Sequence, residues 1–309
     1  MAQTLIEAAK IALGKDETYK AAVMELYAKN SDILMTMPFE NITGNALSFN
    51  REKTLPGVGF RGLNEAYSES TGKVDPVTER LTIAGGDIDV DKFIVDTGGD
   101  DQRSTQEALK IKALSLSMTK TIIKGSTVTD PKGFDGWQVR LNGNNLVANH
   151  ATAATPMSLL KLDTLIDTVD DPTHLVMNKT MRRRLTVAAR TYTVGGFVTY
   201  DVDAFGRRVT KYNDLPILIA DKDETNTDIL PFTETDNAAG SVGSSIYCNS
   251  FNETGVVGLQ SAEMDVRDLG ELETKPCYRT RVEWYITLAM YRPFAAARLW
   301  GFIDGIVTV

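Results

Sequence analysis

A stretch of alternating residues near the C-terminus, Tyr278 to Tyr291, constrains the fold more than any other part of the sequence. Its even-numbered positions are mostly apolar and its odd-numbered positions are often charged: Tyr278, Thr280, Val282, Trp284, Ile286, Leu288 and Met290 alternate with Arg279, Arg281, Glu283 and Thr287. Period-two alternation is typical of a β-strand with one buried face. Such a strand would be about 45 Å long, whereas most strands contain about five or six residues. The sequence therefore predicts a flat, elongated body.

The stretch Ser104 to Lys124 has the clearest helical pattern in the chain. Ser104 and Glu107 match a capping box, in which the serine caps a free N–H and the glutamate reaches back to the serine. Gly125 supplies a stop signal. Apolar residues recur at steps of three and four and form one stripe: Ile111, Leu114, Met118 and Ile122. The predicted helix is about 31 Å long, which suits a structural spine.

Two segments that alternate charged and apolar residues, Ala46–Leu55 and Val77–Ile83, predict a pair of strands. About twenty residues separate them, and several are glycine. Hairpin connections usually contain about two to five residues, so a connection of this length is typical of a functional loop. We interpret residues 41–90 as a long protruding hairpin.

The remaining segments predict a helical N-terminal part and a mixed α/β part. Residues 1–29 have helical apolar spacing, and Gly14 leaves open whether they form one helix or two. Residues 222–245 are rich in Thr, Asp, Asn, Gly and Ser and predict a long surface loop. The other predicted elements are a helix over Met157–Val169, a strand over His174–Met177, a helix capped by Asn178 and running through Arg190, and strands over Leu215–Ala220 (after a turn at Asn213 and Asp214), Ile246–Phe251 and Val256–Leu259.

Composition argues against several classes of protein. Hydrophobic residues make up 42% of the chain and charged residues 24%, as in ordinary globular proteins. The net charge of −8 argues against a dedicated nucleic-acid-binding protein. Cys248, Cys277, His150 and His174 lie far apart in sequence, which argues against a zinc site and favours free thiols over a disulfide. Residues 1–10 lack the pattern of a signal peptide and no apolar run reaches about 20 residues, so we expect a protein made and kept in a cytoplasm.

Two motifs resemble ligand sites, but each has a simpler interpretation. Gly57–Gly62 matches the dinucleotide-binding fingerprint, yet the segment before it is charged and ends in Pro56, which favours a flexible loop tip. The second motif has the opening spacing of an EF-hand calcium loop, but Lys92 and Gly98 stand where such a loop needs glycine and glutamate. The aspartates that have the opening spacing of such a loop alternate with Ile88 and Val90, which favours an exposed strand edge: Asp87, Asp89, Asp91 and Asp96.

Arg182 to Arg184 form a run of three successive arginines. Successive helical residues spread over most of the circumference, so we expect the three not to form one patch. A solvated or ion-paired face is favoured over contact with a partner or with nucleic acid. No Walker A loop, Gly-x-Ser-x-Gly elbow or His-Glu-x-x-His pattern occurs. The sequence therefore predicts no enzyme and no catalytic, cofactor-binding or metal-binding residues.

The order of the predicted elements resembles that of the major capsid proteins of tailed bacteriophages, which have the Johnson fold. Four stretches also look like those of coat proteins: FDGWQVRL (134–141), HLVMNKTMRRRL (174–185), YDVDAFGRRV (200–209) and RDLGELETKPCYRTRVEWYITLAMYRPFAAARL (267–299). The resemblance covers nearly the whole chain. It implies an α+β protein with these parts: an N-terminal arm (1–40), an extended β-hairpin loop or E-loop (41–90), a peripheral domain with the spine helix and a long-stranded sheet (91–152 and 261–309), and an inserted α/β axial domain (153–260).

The resemblance also implies a function. The chain is expected to assemble into hexamers and pentamers of an icosahedral shell around phage double-stranded DNA, in the cytoplasm of a bacterial host. Expected partners are other copies of itself, a separate scaffolding protein, portal and decoration proteins, and packaged DNA through non-specific contacts, with no membrane and no cofactor. Some members of the family cross-link hairpin lysines to a neighbour. Lys53 and Lys73 lie in the corresponding region, but nothing identifies a partner residue, so we predict no cross-link.

A protruding hairpin cannot bury both faces within its own subunit, so we expect it to lie across a neighbouring copy. Each exposed ion pair would contribute only about 0–1 kcal/mol, so a shell would depend on many modest contacts. Two alternatives stay open: an encapsulin-like shell that encloses an enzyme cargo, and, much more weakly, a nucleotide-dependent enzyme. The predicted interface residues are hairpin groups and the acidic groups of an adjacent copy: Arg51, Lys53, Phe60, Arg61 and Lys73, with Asp87, Asp89 and Asp100.

Overall fold

Helices and strands are distributed along the whole chain. The computed structural model describes residues 2–14, 18–98, 100–150, 155–191, 197–202, 206, 208–235 and 242–308. The helices are α1 (Leu5–Gly14), α2 (Thr18–Lys29), α3 (Asp32–Thr36), α4 (Lys92–Gly98), α5 (Asp100–Lys124), α6 (Trp137–Arg140), α7 (Leu159–Asp167) and α8 (Lys179–Thr191). The strands are β1 (Phe39–Asn41), β2 (Ala46–Thr54), β3 (Lys73–Arg80), β4 (Thr82–Asp91), β5 (Leu146–Ala148), β6 (Thr155–Ser158), β7 (His174–Met177), β8 (Val198–Val202), β9 (Arg208–Tyr212), β10 (Leu215–Ile219), β11 (Ser244–Asn249), β12 (Val256–Gln260), β13 (Asp265–Glu271), β14 (Cys277–Met290) and β15 (Ala296–Thr308).

The predicted long strand is confirmed as β14, the central strand of a five-stranded sheet with the order β1-β12-β14-β13. Strand β4 pairs antiparallel with the other edge of β14, from Cys277↔Asp91 to Ile286↔Thr82. The even-numbered side chains from Thr280 to Met290 are buried, as the alternation predicted. The free edge of β4 agrees with the interpretation of its aspartates as part of an exposed strand edge, because none of the described strands pairs there.

The predicted spine helix is confirmed as α5, about 37 Å long. It begins at Asp100, so the capping box gave the wrong start and Ser104 lies one turn inside the helix. Glu107 is engaged in tertiary contacts: it accepts hydrogen bonds from Arg103 Nε (3.0 Å) and Thr280 Oγ1 (2.7 Å). Glu107 therefore links the spine helix to β14 through Thr280.

The N-terminal segment forms two helices, α1 and α2, followed by the short α3. Buried polar contacts tie these helices to the spine: Ser115 Oγ donates to the Tyr27 carbonyl (2.7 Å) and Thr119 Oγ1 donates to Ser31 Oγ (2.7 Å). Ser31 also caps α3 by accepting from the Leu34 N–H. The predicted arm therefore packs on the spine helix along its described residues.

A second sheet has the order β5-β15-β11-β7-β10-β9-β8, and β6 also pairs with β15. Alternation along β7 separates its two faces. Leu175 and Met177 share a hydrophobic cluster with residues of α7 and α8, whereas Val176 belongs to the cluster that contains Ile122 of the spine helix. The second sheet is therefore packed on both faces, with α7 and α8 on one side and the spine on the other.

Strand β15 is part of the second sheet. It pairs with β11, with β6 and with β5, which lies in the predicted peripheral range 91–152. Because ladder hydrogen bonds define the sheet to which a strand belongs, residues 296–308 go with that sheet. The division into domains stays a prediction.

Predictions for the second sheet and its helices differ in accuracy. The strand His174–Met177 is confirmed, and so is the cap of α8, because Met181 N–H donates to Asn178 Oδ1 (2.7 Å). Helix α7 begins later than predicted, since the residues before Leu159 form β6 against β15. The strands predicted near 215–220, 246–251 and 256–259 are present as β10, β11 and β12. Both cysteines are free thiols, and among the described residues no helix is long and apolar enough to span a bilayer.

The close approach of β12 to the N-terminal segment gives a stability prediction. A Cβ at Gly258 would overlap the ring of Phe39, which is itself buried. We expect Gly258→Ala to lower the free energy of unfolding by about 1–3 kcal/mol, measured by urea denaturation of the unassembled subunit. Gly133→Ala is the matched control, because its Cβ would lie 3.5 Å from the nearest atom. Equal denaturation midpoints for both variants would contradict this packing.

Burial of His174 predicts a pH-dependent stability. Its ring lies 5.3 Å from that of Phe251, and burial lowers the pKa of His174 to about 4. The unfolded chain, with a histidine pKa of about 6.5, then binds a proton that the folded chain rejects, so stability falls as the pH drops below about 6.5. We expect a loss of about 2 kcal/mol between pH 7.5 and pH 5. Denaturation at both pH values should show a smaller loss for His174→Gln, and an equal loss in that variant would contradict the assignment.

Candidate assembly surface

A hairpin is present as the two-stranded sheet β2–β3, but it ends at Arg80 and is shorter than predicted. The second predicted strand, Val77–Ile83, spans the end of β3 and the start of β4, and β4 belongs to the five-stranded sheet. The strands pair antiparallel from Ala46↔Arg80 to Thr54↔Lys73, with an irregularity between Glu52 and Thr54. Residues 55–72 connect them and are exposed throughout. The hairpin is therefore a two-stranded ribbon with a long open tip.

The base of the hairpin is anchored to the body. Phe49 contacts Tyr291 with a ring separation of 4.8 Å, and Phe49 packs against a small buried cluster that includes Leu259. Arg140 donates two hydrogen bonds to the Glu79 carboxylate, of which Nη2 to Oε2 is 2.8 Å. These contacts hold the first half of the ribbon at a fixed angle to the rest of the subunit.

The tip carries large apolar side chains that nothing in the described part of the subunit covers. Phe60 is fully exposed, with 105% relative accessibility, and Arg61 lies over the Tyr67 ring at 5.1 Å. Large apolar groups with this degree of exposure are typical of an interaction surface when they are grouped. The exposed set is Leu55, Val58, Phe60, Leu63 and Tyr67.

The predicted hairpin cations lie along the ribbon and its tip. Arg51 Nη2 and Lys53 Nζ both face Asp75, at 3.5 Å and 3.9 Å. Arg61 is at the tip, where it donates to the Glu65 carbonyl (3.3 Å), and Lys73 is exposed at the start of β3. Asp75 thus balances part of this charge within the subunit, which the sequence alone did not indicate.

The predicted acidic residues lie on β4, and there they contact arginines of their own chain. Asp87 accepts two hydrogen bonds from Arg281 (2.7 and 2.9 Å), and Asp89 accepts two from Arg279 (2.6 Å each). The hydrogen bond from Arg281 holds the pKa of Asp87 below its usual value, and that from Arg279 does the same for Asp89. Asp100 opens α5, and its side chain lies outside the described part of the structure.

The arginines that pair with Asp87 and Asp89 were visible in the sequence as odd-numbered residues of β14, but their partners were not. Pairing Arg279 with Asp89 requires the register of β4 against β14, which joins residues 190 positions apart in the chain. The predicted interface cations and anions are therefore not brought together within one subunit. Their contact across two copies stays a prediction.

The glycine-rich and aspartate motifs occupy positions that explain their spacing without a ligand. Gly57–Gly62 lies in the exposed tip, and the next helix along the chain begins only at Lys92, so the strand–helix geometry of a dinucleotide site is missing. Asp91 Oδ1 accepts from the Phe93 N–H (2.8 Å) at the start of α4. Across the described ranges, no three potential metal ligands of the His, Cys, Asp or Glu type come together.

Comparison with known proteins connects this geometry to a family. The family model of the major capsid protein GP7 matches residues 15–159, just under half of the chain. That range includes the hairpin, β4 and the spine helix. No curated protein sequence matches.

Solved structures show the same fold over most of the chain. The holo-SrpI encapsulin of Synechococcus elongatus PCC 7942 matches with a TM-score of 0.60 at 17% identity and covers 87% of this chain and 85% of its own. The capsid of a native GTA particle gives 0.58 at 15% identity, covering 89% and 90%. A chain of Mycobacterium phage Bobi gives 0.60 at 12% identity, covering 87% and 89%.

These matches, together with the order of the elements and the protruding hairpin, show that the chain has the Johnson fold. The part of the chain that contains the hairpin and the spine helix resembles the major capsid protein GP7. The α+β fold class that the sequence predicted is thereby confirmed, and the family match supports the predicted capsid function.

The anchor at the hairpin base can be tested directly. Arg140→Gln removes the paired charge from Glu79, whose side chain is only 12% exposed. We expect a loss of about 1–3 kcal/mol in unfolding free energy and faster amide hydrogen exchange in β2 and β3. Lys92→Gln is the control, since it removes an exposed ion pair with Glu271 and should change stability by less than about 1 kcal/mol. Unchanged exchange in β2 and β3 would show that Arg140 does not hold the hairpin.

Proposed function

We propose that many copies of this chain form hexamers and pentamers that close into an icosahedral shell around phage double-stranded DNA. The observation that carries this proposal is the hairpin β2–β3, anchored at its base and apolar at its exposed tip. The body buries its own core on both faces of the second sheet, so it needs no partner to fold. The tip, by contrast, has no such cover among the described residues.

The tip supplies a heterologous contact, in which one surface of a subunit binds a different surface of the next. Heterologous contacts close into rings when the rotation between subunits fits a whole number of copies. Burial of apolar surface contributes about 25 cal/mol per Å², so a few side chains such as Phe60 and Leu63 stabilise each contact modestly. Repetition of this contact around a closed lattice then stabilises the whole shell, while single misplaced subunits can still dissociate.

Charged groups orient this contact. We propose that Arg51, Lys53, Arg61 and Lys73 face acidic groups of an adjacent copy. Asp87 and Asp89 hold their own arginines, but a carboxylate has about four lone-pair sites and can accept a further cation. Asp100, at the N-terminal end of the spine helix, is proposed as the third acidic group. Such rim charges favour correct register and association rate more than affinity.

Further parts of the proposal concern partners and place. A separate scaffolding protein, a portal and decoration proteins would complete the particle, which would assemble in the cytoplasm of a bacterial host. The chain would act as a structural protein without catalysis. The arm (1–40), the E-loop (41–90), the peripheral domain (91–152 and 261–309) and the axial domain (153–260) would be the structural units of each subunit.

A second candidate is a nanocompartment shell with an enzyme cargo. It is favoured by one observation, the similarity in fold to the SrpI encapsulin. The contents of purified particles separate the two candidates: DNA of genome length supports the phage capsid, whereas a co-purifying enzyme without such DNA supports the nanocompartment.

The hairpin proposal predicts that apolar tip residues are needed for assembly and not for folding. We expect the double variant Phe60→Ser, Leu63→Ser to stay folded and monomeric or capsomer-sized under conditions where the unmodified chain forms closed particles. Light scattering after size exclusion and negative-stain electron microscopy give the readout. Val128→Ser is the control, because Val128 is 90% exposed but lies outside the hairpin.

Deletion of residues 56–72 gives a second variant with the same expectation, since the two cores lie outside the hairpin. Circular dichroism and an unchanged unfolding midpoint would establish that the subunit is folded. Normal particles from either hairpin variant would show that the hairpin is not the clamp between subunits.

A further inference from the structure

A groove of about 650 Å³ lies between helix α8, the β8–β9 hairpin and the turn at 221–228, away from the E-loop. Its lining is unusual for a chain with a net charge of −8, because positive groups outnumber negative ones. Asp221 and Asp228 are the carboxylates in the lining. The lining cations are Lys179, Arg182, Arg183, Arg190, Arg208 and Lys222.

The carboxylates of the groove do not balance its arginines. Asp221 is paired with Lys179, Nζ to Oδ2 at 3.5 Å. No carboxylate in the described part of the chain lies within 4 Å of the guanidinium of Arg182, Arg183 or Arg190. The positive charge of these three arginines therefore faces solvent.

Helix α8 sorts its arginines between two environments. Arg184 leaves the groove and pairs with Asp304 on β15, Nε to Oδ1 at 2.7 Å. Arg183 and Arg190 are seven residues apart, which is about two helical turns, so both lie on the groove side. The three successive arginines therefore do not form one patch, as expected, although Arg182 and Arg183 both line the groove.

The opposite wall of the groove presents a fixed guanidinium group. Arg208 on β9 lies over the ring of Tyr200 on β8, with 3.7 Å between the guanidinium carbon and the ring centroid. Stacking on an aromatic ring holds the plane of the guanidinium and leaves its N–H groups available at the edges. A planar, pre-oriented guanidinium suits paired hydrogen bonds to phosphate oxygens.

We propose that this groove binds the phosphate backbone of double-stranded DNA, a proposal that rests on the shell function and assigns its DNA contact to named residues. Arg183 and Arg190 are separated by about 10 Å along α8, a length over which a duplex presents about three phosphates per strand. A shell of subunits that each carry −8 repels DNA, so contact requires a local excess of cations such as this groove. The contact is independent of base sequence, because none of these cations has to reach a base edge.

The test compares two sets of substitutions on the same helix. One variant combines Arg182→Gln, Arg183→Gln and Arg190→Gln; the matched control is Arg184→Gln, whose arginine is held by Asp304. Binding of unassembled subunits to a labelled 30-base-pair duplex is measured by fluorescence anisotropy between 50 and 200 mM KCl. We expect the triple variant to bind at least tenfold more weakly at low salt, with a salt-dependence slope smaller by about 2 to 3. The control should bind within about twofold of the unmodified chain.

The other results either overturn the inference or separate it from the shell function. Failure of the unmodified chain to bind the duplex at 50 mM KCl would overturn it, as would equal binding by the triple variant or an equal loss in the control. If the triple variant binds DNA normally but forms no particles, the groove receives an acidic segment of a second copy instead. If the unmodified chain forms no particles while the triple variant still loses DNA binding, the groove assignment is supported and the shell function fails.

Discussion

The pairing of β4 with β14 is the constraint on which the rest of the structure depends. It joins two segments about 200 residues apart and fixes them in one register over the length of β4. The buried side of these strands includes Val90 and Trp284, in the same hydrophobic cluster as Ile111 of the spine helix. The exposed side of the same ladder carries the arginine–aspartate pairs. Apolar burial supplies most of the free energy here, and the charged pairs add to the specificity of the register.

Because β4 is fixed, the hairpin that precedes it must leave the body in one direction. Only Leu81 separates β3 from β4, and Leu81 packs with the small cluster at the hairpin base. Phe49 and Arg140 then hold the ribbon from its other side. The protrusion is therefore a consequence of the core, and the apolar tip is delivered to a defined position relative to the rest of the subunit.

The spine helix is also joined to the second sheet by buried charge. Lys124, at the end of α5, reaches Glu234 at 2.7 Å, and Glu234 also accepts from Arg298 of β15 at 3.1 Å. One turn earlier, Lys120 pairs with Asp223 at 2.8 Å. Residues 222–245, which the sequence predicted as a surface loop, thus contribute buried carboxylates that bridge helix and sheet. Removing one partner of such a pair would leave a buried charge uncompensated, which is why the joint favours one arrangement of the two sheets.

The sequence by itself determined the elements whose residues repeat with a clear period, β14, most of α5 and the first hairpin strand β2, and also the cap of α8 by Asn178. Periodicity reports which face of an element is buried, and capping chemistry is local, so both can be read from neighbouring residues. The tertiary structure decided what depends on partners far away in the chain. It placed β15 in the second sheet, paired Asp87 and Asp89 with arginines of β14, and turned Arg184 away from Arg182 and Arg183. Strand register and side-chain direction arise from packing between distant segments, and a residue's type does not reveal which segment will lie beside it.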